Sequence, residues 1–170
     1  MEPVNDADVE WQETETERMR FRRKKLGAAA GGEDLGCSLY ELDPGEAAWP
    51  YHYHAANEEA LYVLSGAGVL RVGDETYALE RGDYAAFPTG AEGGHAVAND
   101  GEQTLRYLVI STMKEPEVVR YPEGEGVGVM VGGAPGASER DFEIWVKEED
   151  GRSYADATSD ATTSDSEASR

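Results

Sequence analysis

Tyr51-His52-Tyr53-His54-Ala55-Ala56-Asn57-Glu58-Glu59 is the stretch on which the reading of this chain turns, and His95 answers it about forty positions later. The chain has three histidines, and all of them belong to this constellation. Alternate residues of a β-strand share a face, so His52 and His54 are expected to present both imidazoles to one interior. Two neutral imidazoles aimed at one point suit a metal ion. A four-residue turn, Ala55 to Glu58, is a common hairpin length and would bring Glu59 on the returning strand beside the pair, adding an anionic oxygen. His95 then completes a set of three nitrogens and one oxygen.

Further residues surround these at regular intervals. Four residues separate His54 from Glu59, and six separate Glu59 from Gly66. Later come Gly82, five residues, Pro88-Thr89-Gly90, then His95, three residues and Asn99. In this order the chain resembles the cupin superfamily, whose motifs read G-x5-H-x-H-x3-4-E-x6-G and G-x5-P-x-G-x2-H-x3-N. Two departures stand out: four residues, not two, separate Gly90 from His95, and Gly45 precedes His52 by six residues, not five. Both lie in the approaches to strands, where they alter a loop at the barrel mouth.

The resemblance covers roughly Leu35 to Met113. It implies an all-β double-stranded β-helix, or jelly roll. It also implies that His52, His54, Glu59 and His95 occupy the family's four metal-ligand positions, around one divalent transition metal (Mn, Fe, Ni, Co or Zn). Family members with this ligand set include oxidases and dioxygenases, decarboxylases, lyases, isomerases and proteins that only bind a small acid, so the ligands do not name a reaction. The stretch is also similar to single-domain cupins of the conserved-barrel type, grouped with oxalate-binding-like and sugar-phosphate-isomerase-like proteins. That similarity points to a small-molecule ligand, a carboxylate or a sugar-phosphate-like metabolite.

Around this centre the chain divides into four parts. Residues 1–34 read as an N-terminal arm and loop, with Val9 and Trp11 as anchors over the barrel and Gly27 to Asp34 as a loop. Within it Glu13, Glu15 and Glu17 precede a basic run, Arg18, Arg20, Arg22, Arg23, Lys24 and Lys25, interleaved with Met19 and Phe21. This run reads as an extended edge segment paired with the protein's own carboxylates. Residues 35–115 form the barrel, with strands expected at 35–42, 47–54, 59–64, 69–72, 76–79, 84–87, 95–99 and 104–111. Turn residues such as Asp43-Pro44-Gly45 and Arg81-Gly82-Asp83 separate them. Residues 116–147 are expected to complete the sheet or a dimer. Residues 148–170, mostly Ser, Thr, Asp and Ala, cannot offset ordering entropy by burial and are expected to form a disordered acidic tail.

The 170 residues suffice for one domain with a real core. Thirty-five Asp and Glu against 15 Lys and Arg leave a net charge of −20, the balance expected of a halophilic, salt-loving cytoplasm, and one that disfavours nucleic acid as a partner. No apolar run approaches membrane-spanning length and the first ten residues are acidic, so a soluble cytoplasmic protein without membrane contact is expected. Cys37 is the single cysteine, which excludes an intramolecular disulfide and reads as a small core residue. No helix-turn-helix pattern flanks the barrel, which argues against a transcriptional regulator.

If His52 and His54 face in, strict alternation turns Trp49, Tyr51 and Tyr53 outward. Such a patch needs a cover, either the N-terminal arm or the second subunit of a homodimer. The pocket's other walls fall among Arg71, Tyr84, Phe87, Arg106 and Tyr107, and an inward arginine would select a carboxylate or phosphate by a bidentate pair. Metal-dependent enzyme and non-catalytic small-acid-binding module both fit this sequence.

Overall fold

The computed structural model describes residues 2–135, 137 and 139–158. Among these residues the strands are β1 (Gln12–Glu15), β2 (Arg20–Lys25), β3 (Leu35–Leu42), β4 (Tyr53–His54), β5 (Glu59–Ser65), β6 (Ala67–Val72) and β7 (Glu75–Glu80). They continue as β8 (Tyr84–Phe87), β9 (His95–Ala98), β10 (Leu105–Thr112), β11 (Glu117–Tyr121), β12 (Gly126–Val131) and β13 (Phe142–Lys147). Two short helices, α1 (Leu26–Ala29) and α2 (Tyr154–Thr158), lie outside the strand framework.

One layer is an antiparallel sheet in the order β1-β2-β3-β10-β5-β8. The other is built from β7-β6-β9 and from β13-β12-β11-β4. Bridges at Ala47↔Ala98 and His52↔His95 join the two halves of that second layer. This is the expected jelly roll, closed around one core that includes Phe21, Leu42, Leu61, Val63, Leu70, Leu105 and Tyr107.

Register explains which side chains enter that core. Paired residues on neighbouring strands share a face, so Arg23, Tyr40 and Tyr107 form one row across β2, β3 and β10, and Arg22, Glu41 and Arg106 the adjacent row. The first row points in. The second points out and is laced by ion pairs, Arg22 Nε to Glu41 Oε2 at 2.8 Å and Arg106 Nε to Glu41 Oε1 at 2.7 Å.

Several expectations are corrected. The basic run is not at the sheet edge: β1 covers it, and alternation places Glu13 opposite Arg22 and Glu15 opposite Arg20. Residues 47–54 do not form one strand, because Trp49-Pro50-Tyr51 bends the chain and pairing resumes only at the His52 bridge and β4. The phase of alternation is lost there, and Trp49 turns inward against Phe21, ring centroids 4.8 Å apart. Ala55 to Glu58 is not a hairpin turn, since β4 and β5 belong to different layers. Four-residue α1 occupies part of the expected 27–34 loop. Cys37 is half-buried rather than core, and burial pushes its thiol up.

The N-terminal arm and the C-terminal stretch can also be placed. Trp11 stacks under Lys24, whose ammonium lies 4.5 Å from the ring centre, and Lys24 donates to Asp6 O at 2.5 Å, so the arm is tied to β2. Of the expected tail, residues 148–158 form a turn and exposed α2 rather than featureless chain, and residues 159–170 lie outside the described residues. No helix among the described residues is long and apolar enough to cross a membrane.

Candidate metal centre

The three histidines converge from two directions. His52 and His95 exchange both backbone hydrogen bonds, at 3.1 and 2.9 Å, which brings their ring centroids to 4.8 Å. His54, two residues on, lies 5.2 Å from His52 by ring centroid. Glu59 arrives from the opposite layer at the start of β5, its Oε2 3.3 Å from His54 Nε2 and 3.6 Å from His95 Nε2. Ligand-type atoms of His52, His54 and Glu59 all lie within 4.8 Å of one another.

The loop before His95 is shaped for this approach. A Cβ on Gly93 would stand 1.7 Å from Pro88 O, and one on Gly94 would stand 2.3 Å from Tyr51 Oη. The two extra residues after Gly90 form part of a short turn at Ala91–Gly93, which lets β9 begin at His95 all the same.

The outer nitrogens of two of the three histidines are already engaged. His52 Nδ1 lies 2.8 Å from Pro50 O and His95 Nδ1 lies 2.9 Å from Gly93 O. A carbonyl only accepts, so each neutral ring carries its proton on Nδ1 and leaves the Nε2 lone pair free on the Glu59 side. His54 Nδ1 faces Glu117 Oε2 at 3.6 Å. Inner lone pairs with outer acceptors are the arrangement of metal-ligating histidines, and His52, His54 and Glu59 form a group that could hold a metal ion, with His95 beside it but outside that group.

Electrostatics follow from burial and from these neighbours. Burial, then the charges of His95 and His54, depress His52 to about 3. Burial likewise lowers His95 against the pull of Glu59. Burial opposes the charged form of His54 too, but hydrogen bonding to Glu117 and Glu59 outweighs it and lifts this imidazole to about 9. Burial would raise Glu59, yet His54 and the other imidazoles hold it at about 2. Without a bound cation these shifts favour one extra proton on the cluster, held by His54, whose Nε2 faces Glu59 and whose Nδ1 faces Glu117.

The cluster opens into a cavity of about 290 Å³ between the layers. Its aromatic walls are Tyr40, Trp49, Phe87, Tyr107, Tyr121 and Trp145, with Ser38, Ser111, Arg23, Arg140 and Glu143 as polar groups. Phe87 stacks on His95 at 3.8 Å and Tyr121 on His52 at 5.4 Å, which fixes both imidazole planes.

The model of the family described as Cupin domain matches residues 38–111, the region that contributes all four cluster residues. Residues 38–111 are a cupin domain. The chain is 31% identical over 99 residues to quercetin 2,3-dioxygenase of Bacillus subtilis (strain 168), a match covering 56% of this chain but only 29% of the dioxygenase. Among solved structures it is similar to two proteins carrying the name sugar phosphate isomerase. That of Acidithiobacillus ferrooxidans ATCC 23270 has a TM-score of 0.73 and 29% identity, over 86% of this chain and 90% of that one. That of Silicibacter pomeroyi DSS-3 has a TM-score of 0.74 and 24% identity, over 90% and 97%.

The expected pocket residues divide. Phe87 and Tyr107 line the cavity, whereas Tyr84 is 64% exposed on the outside. Arg106 belongs to the outer row, salt-bridged to Asp6 as well as Glu41. Arg71 also points away, over the Tyr51 ring and 2.5 Å from Glu123. The inward arginines are Arg23 and Arg140. Arg23 was legible in principle, since it alternates with Phe21 and so shares its inward face. Glu117, 0% exposed behind His54, shares a face with Val119 but follows no spacing tied to the histidines. Arg140 precedes a strand and carries no periodic signal.

Proposed function

We propose that this cupin holds one divalent transition metal, Mn, Fe, Ni, Co or Zn, through His52, His54, Glu59 and His95, and binds or acts on a small anionic or oxygenated metabolite in the adjoining cavity. The observation that carries this reading is the meeting of His54 Nε2 and His95 Nε2 on one oxygen of Glu59 at 3.3 and 3.6 Å, with the outer nitrogens facing acceptors. A bound metal would polarise a ligand oxygen or acidify a water. The chain's own part is to hold the imidazoles in plane, to wall the site with aromatic rings and to exclude bulk water. Elemental analysis of protein purified without chelator is expected to give about one metal per chain, and His54→Ala with His95→Ala to remove it while the fold persists. Full metal content in the double variant would overturn the reading.

A second reading, a non-catalytic small-acid-binding module, is favoured by the tyrosines. Burial pushes Tyr121 up to about 12 and raises Tyr107 well above its ordinary value, so both are suited to donate to a ligand rather than to abstract a proton. A screen of small acids and sugar phosphates with the metal-loaded protein separates the two. Saturable binding without product supports the module, and turnover supports the enzyme.

The homodimer reading moves from Trp49, Tyr51 and Tyr53 to a different patch. Register places Val118, Val127, Val129, Val131, Phe142, Ile144 and Val146 on one outer face of β11, β12 and β13, with Tyr53 on β4 beside them and Arg120, ion-paired to Glu148, among them. Phe142 is 51% and Ile144 41% exposed. On a chain of charge −20, a sheet face this rich in aliphatic and aromatic side chains suits a second copy related by a two-fold axis. Sedimentation of wild type and of Ile144→Lys tests it: a wild-type dimer that the variant converts to monomer is expected, and a monomeric wild type overturns it.

A further inference from the structure

The cavity carries a cationic end that the metal reading leaves without a task. Arg23 enters from β2, its guanidinium 5.6 Å from the centre of the Trp49 ring and its Nη1 3.5 Å from Tyr40 Oη. Its Nε is buried with no hydrogen-bond partner among the described residues, and it forms no ion pair there. The Nε of Arg140 is likewise buried and unpartnered, although its terminal nitrogens reach Glu143 and Pro135 O. Lys25 lies two residues along β2 from Arg23 and so on the same face, and burial, then the charges of Arg23 and Arg140, lower its ammonium from the usual range. Among the described residues Arg20, Arg22, Arg71, Arg106, Arg120 and Arg140 pair with carboxylates, and Arg18, Arg81 and Arg152, which do not, are exposed to water. An inward guanidinium left without one is the anomaly.

The registers place this group relative to the metal cluster. Arg23, Tyr40, Tyr107 and Val63 form one row across β2, β3, β10 and β5, and Glu59 begins β5 four residues before Val63 on the same face. Three strand spacings across and four residues along put the Cα atoms of Arg23 and Glu59 about 15–20 Å apart in a flat sheet. A single small ion does not touch both; a ligand with two functional ends does.

We propose that Arg23, backed by Arg140 and Lys25, is an oxyanion-recognition site that takes the carboxylate or phosphate of the ligand, while the ligand's other, oxygen-bearing end faces the His/Glu cluster. This deepens the proposed function and rests on it for the ligand's second end only. A guanidinium pre-oriented on Trp49 offers parallel N–H donors that match a carboxylate or phosphate fork.

The test uses inorganic phosphate and, separately, succinate as probes, titrated by calorimetry at fixed ionic strength into chelated full-length protein. Both probes share the oxyanion chemistry, and the tighter of the two identifies the source. Arg23→Gln is expected to weaken the tighter probe about 10- to 100-fold, as loss of a charge-assisted bidentate contact does. Arg71→Gln, which removes an equal charge from the outer surface, is expected to leave it unchanged. Should Arg23→Gln fail to fold, Arg23→Lys keeps the stem on Trp49 and loses the fork, and a several-fold weakening is expected. Wild-type affinity in the folded Arg23 variant, or equal weakening by Arg71→Gln, overturns the proposal, as does absence of binding by either probe to the wild type. Because the protein is chelated, a failure of metal binding leaves this titration unaffected. Metal content, expected to be unchanged in Arg23→Gln, reports separately on the cluster.

Discussion

Glu59 and Glu117 stand on opposite sides of the His54 ring and are held in different ways. Glu117 Oε1 accepts from the backbone N–H groups of Ala55, Ala56 and Val118 at 3.0, 3.1 and 2.8 Å, and its Oε2 accepts from Asn57 Nδ2. Asn57 is itself bound to Lys114 N at 2.7 Å and Thr112 Oγ1 at 3.2 Å. The polar contacts of the Glu59 carboxylate among the described residues are His54 and His95, both on the cavity side. One carboxylate is therefore saturated by the fold and ties the 55–58 crossing to β11. The other keeps acceptor capacity that a cation can use. Burial alone does not separate structural from functional acids here; the identity of the donors does.

The largest effect that sharpens this contrast is on stability. Glu117→Ala leaves several buried N–H donors unpaired and is expected to cost about 3–5 kcal/mol, whereas Glu59→Gln in chelated protein is expected to cost about 1 kcal/mol. Metal content should reverse the order, lost in Glu59→Gln and retained in whatever folded fraction Glu117→Gln yields. Thermal unfolding with elemental analysis of the same samples reads both. Equal stability losses would break the distinction.

The next effect is on pH dependence. His54, raised to about 9 by the two carboxylates, holds its proton in folded chelated protein where the unfolded chain, near 6.5, has released it. Its contribution is complete below about 6.5 and is lost as pH rises through about 9. His52, depressed to about 3, has the opposite sign: its neutral form is built in, and stability falls as pH drops from 6.5 towards 3. Glu59, held at about 2 against an ordinary 4.5, adds a loss only below about 4.5. Melting temperature of chelated protein should therefore peak near neutral pH. With saturating metal the alkaline decline should vanish, because ligation already requires His54 deprotonated. The same alkaline decline in loaded and chelated samples would place the titrating group elsewhere.

The difference between the two acids also marks how far the sequence could be read. His52, His54, Glu59 and His95 were legible because histidine is rare in this chain and their spacing sits among turn-forming Gly and Pro. Strand positions were legible from alternation between turn residues, as at β3 and β8. What alternation did not carry was phase across a bend: Pro50 breaks pairing, so Trp49 turned from the expected outer face to the cavity wall. Nor could local spacing reveal that β4 and β5 sit in opposite layers, since a four-residue connection serves a hairpin and a crossing equally well. Glu117 and Arg140 reach the site from beyond residue 111, through contacts that exist only once the layers close.

The smallest effect separates these two buried acids from the carboxylates on the surface. With 35 Asp and Glu against 15 Lys and Arg, self-repulsion opposes compaction most where the Debye length is about 30 Å at 0.01 M salt, and little where it is about 3 Å near 1 M. The surface pairs Arg20 with Glu46 at 3.2 Å and Arg120 with Glu148 at 2.8 Å weaken under the same screening, but pairs of this kind contribute only about 0–1 kcal/mol each. Melting temperature is therefore expected to rise with NaCl. Glu59 and Glu117 act at contact range in a buried cluster, so metal content and the stability difference between Glu117→Ala and wild type should hardly move. Measuring both proteins in NaCl and in Na2SO4 at matched ionic strength distinguishes screening, which acts in either salt, from sulfate exclusion, which acts in one. A flat or falling melting temperature in NaCl would remove the salt-adapted reading. A Glu117→Ala penalty that shrinks with salt as fast as the surface effect does would mean that its carboxylate works through long-range charge rather than through the N–H groups it accepts.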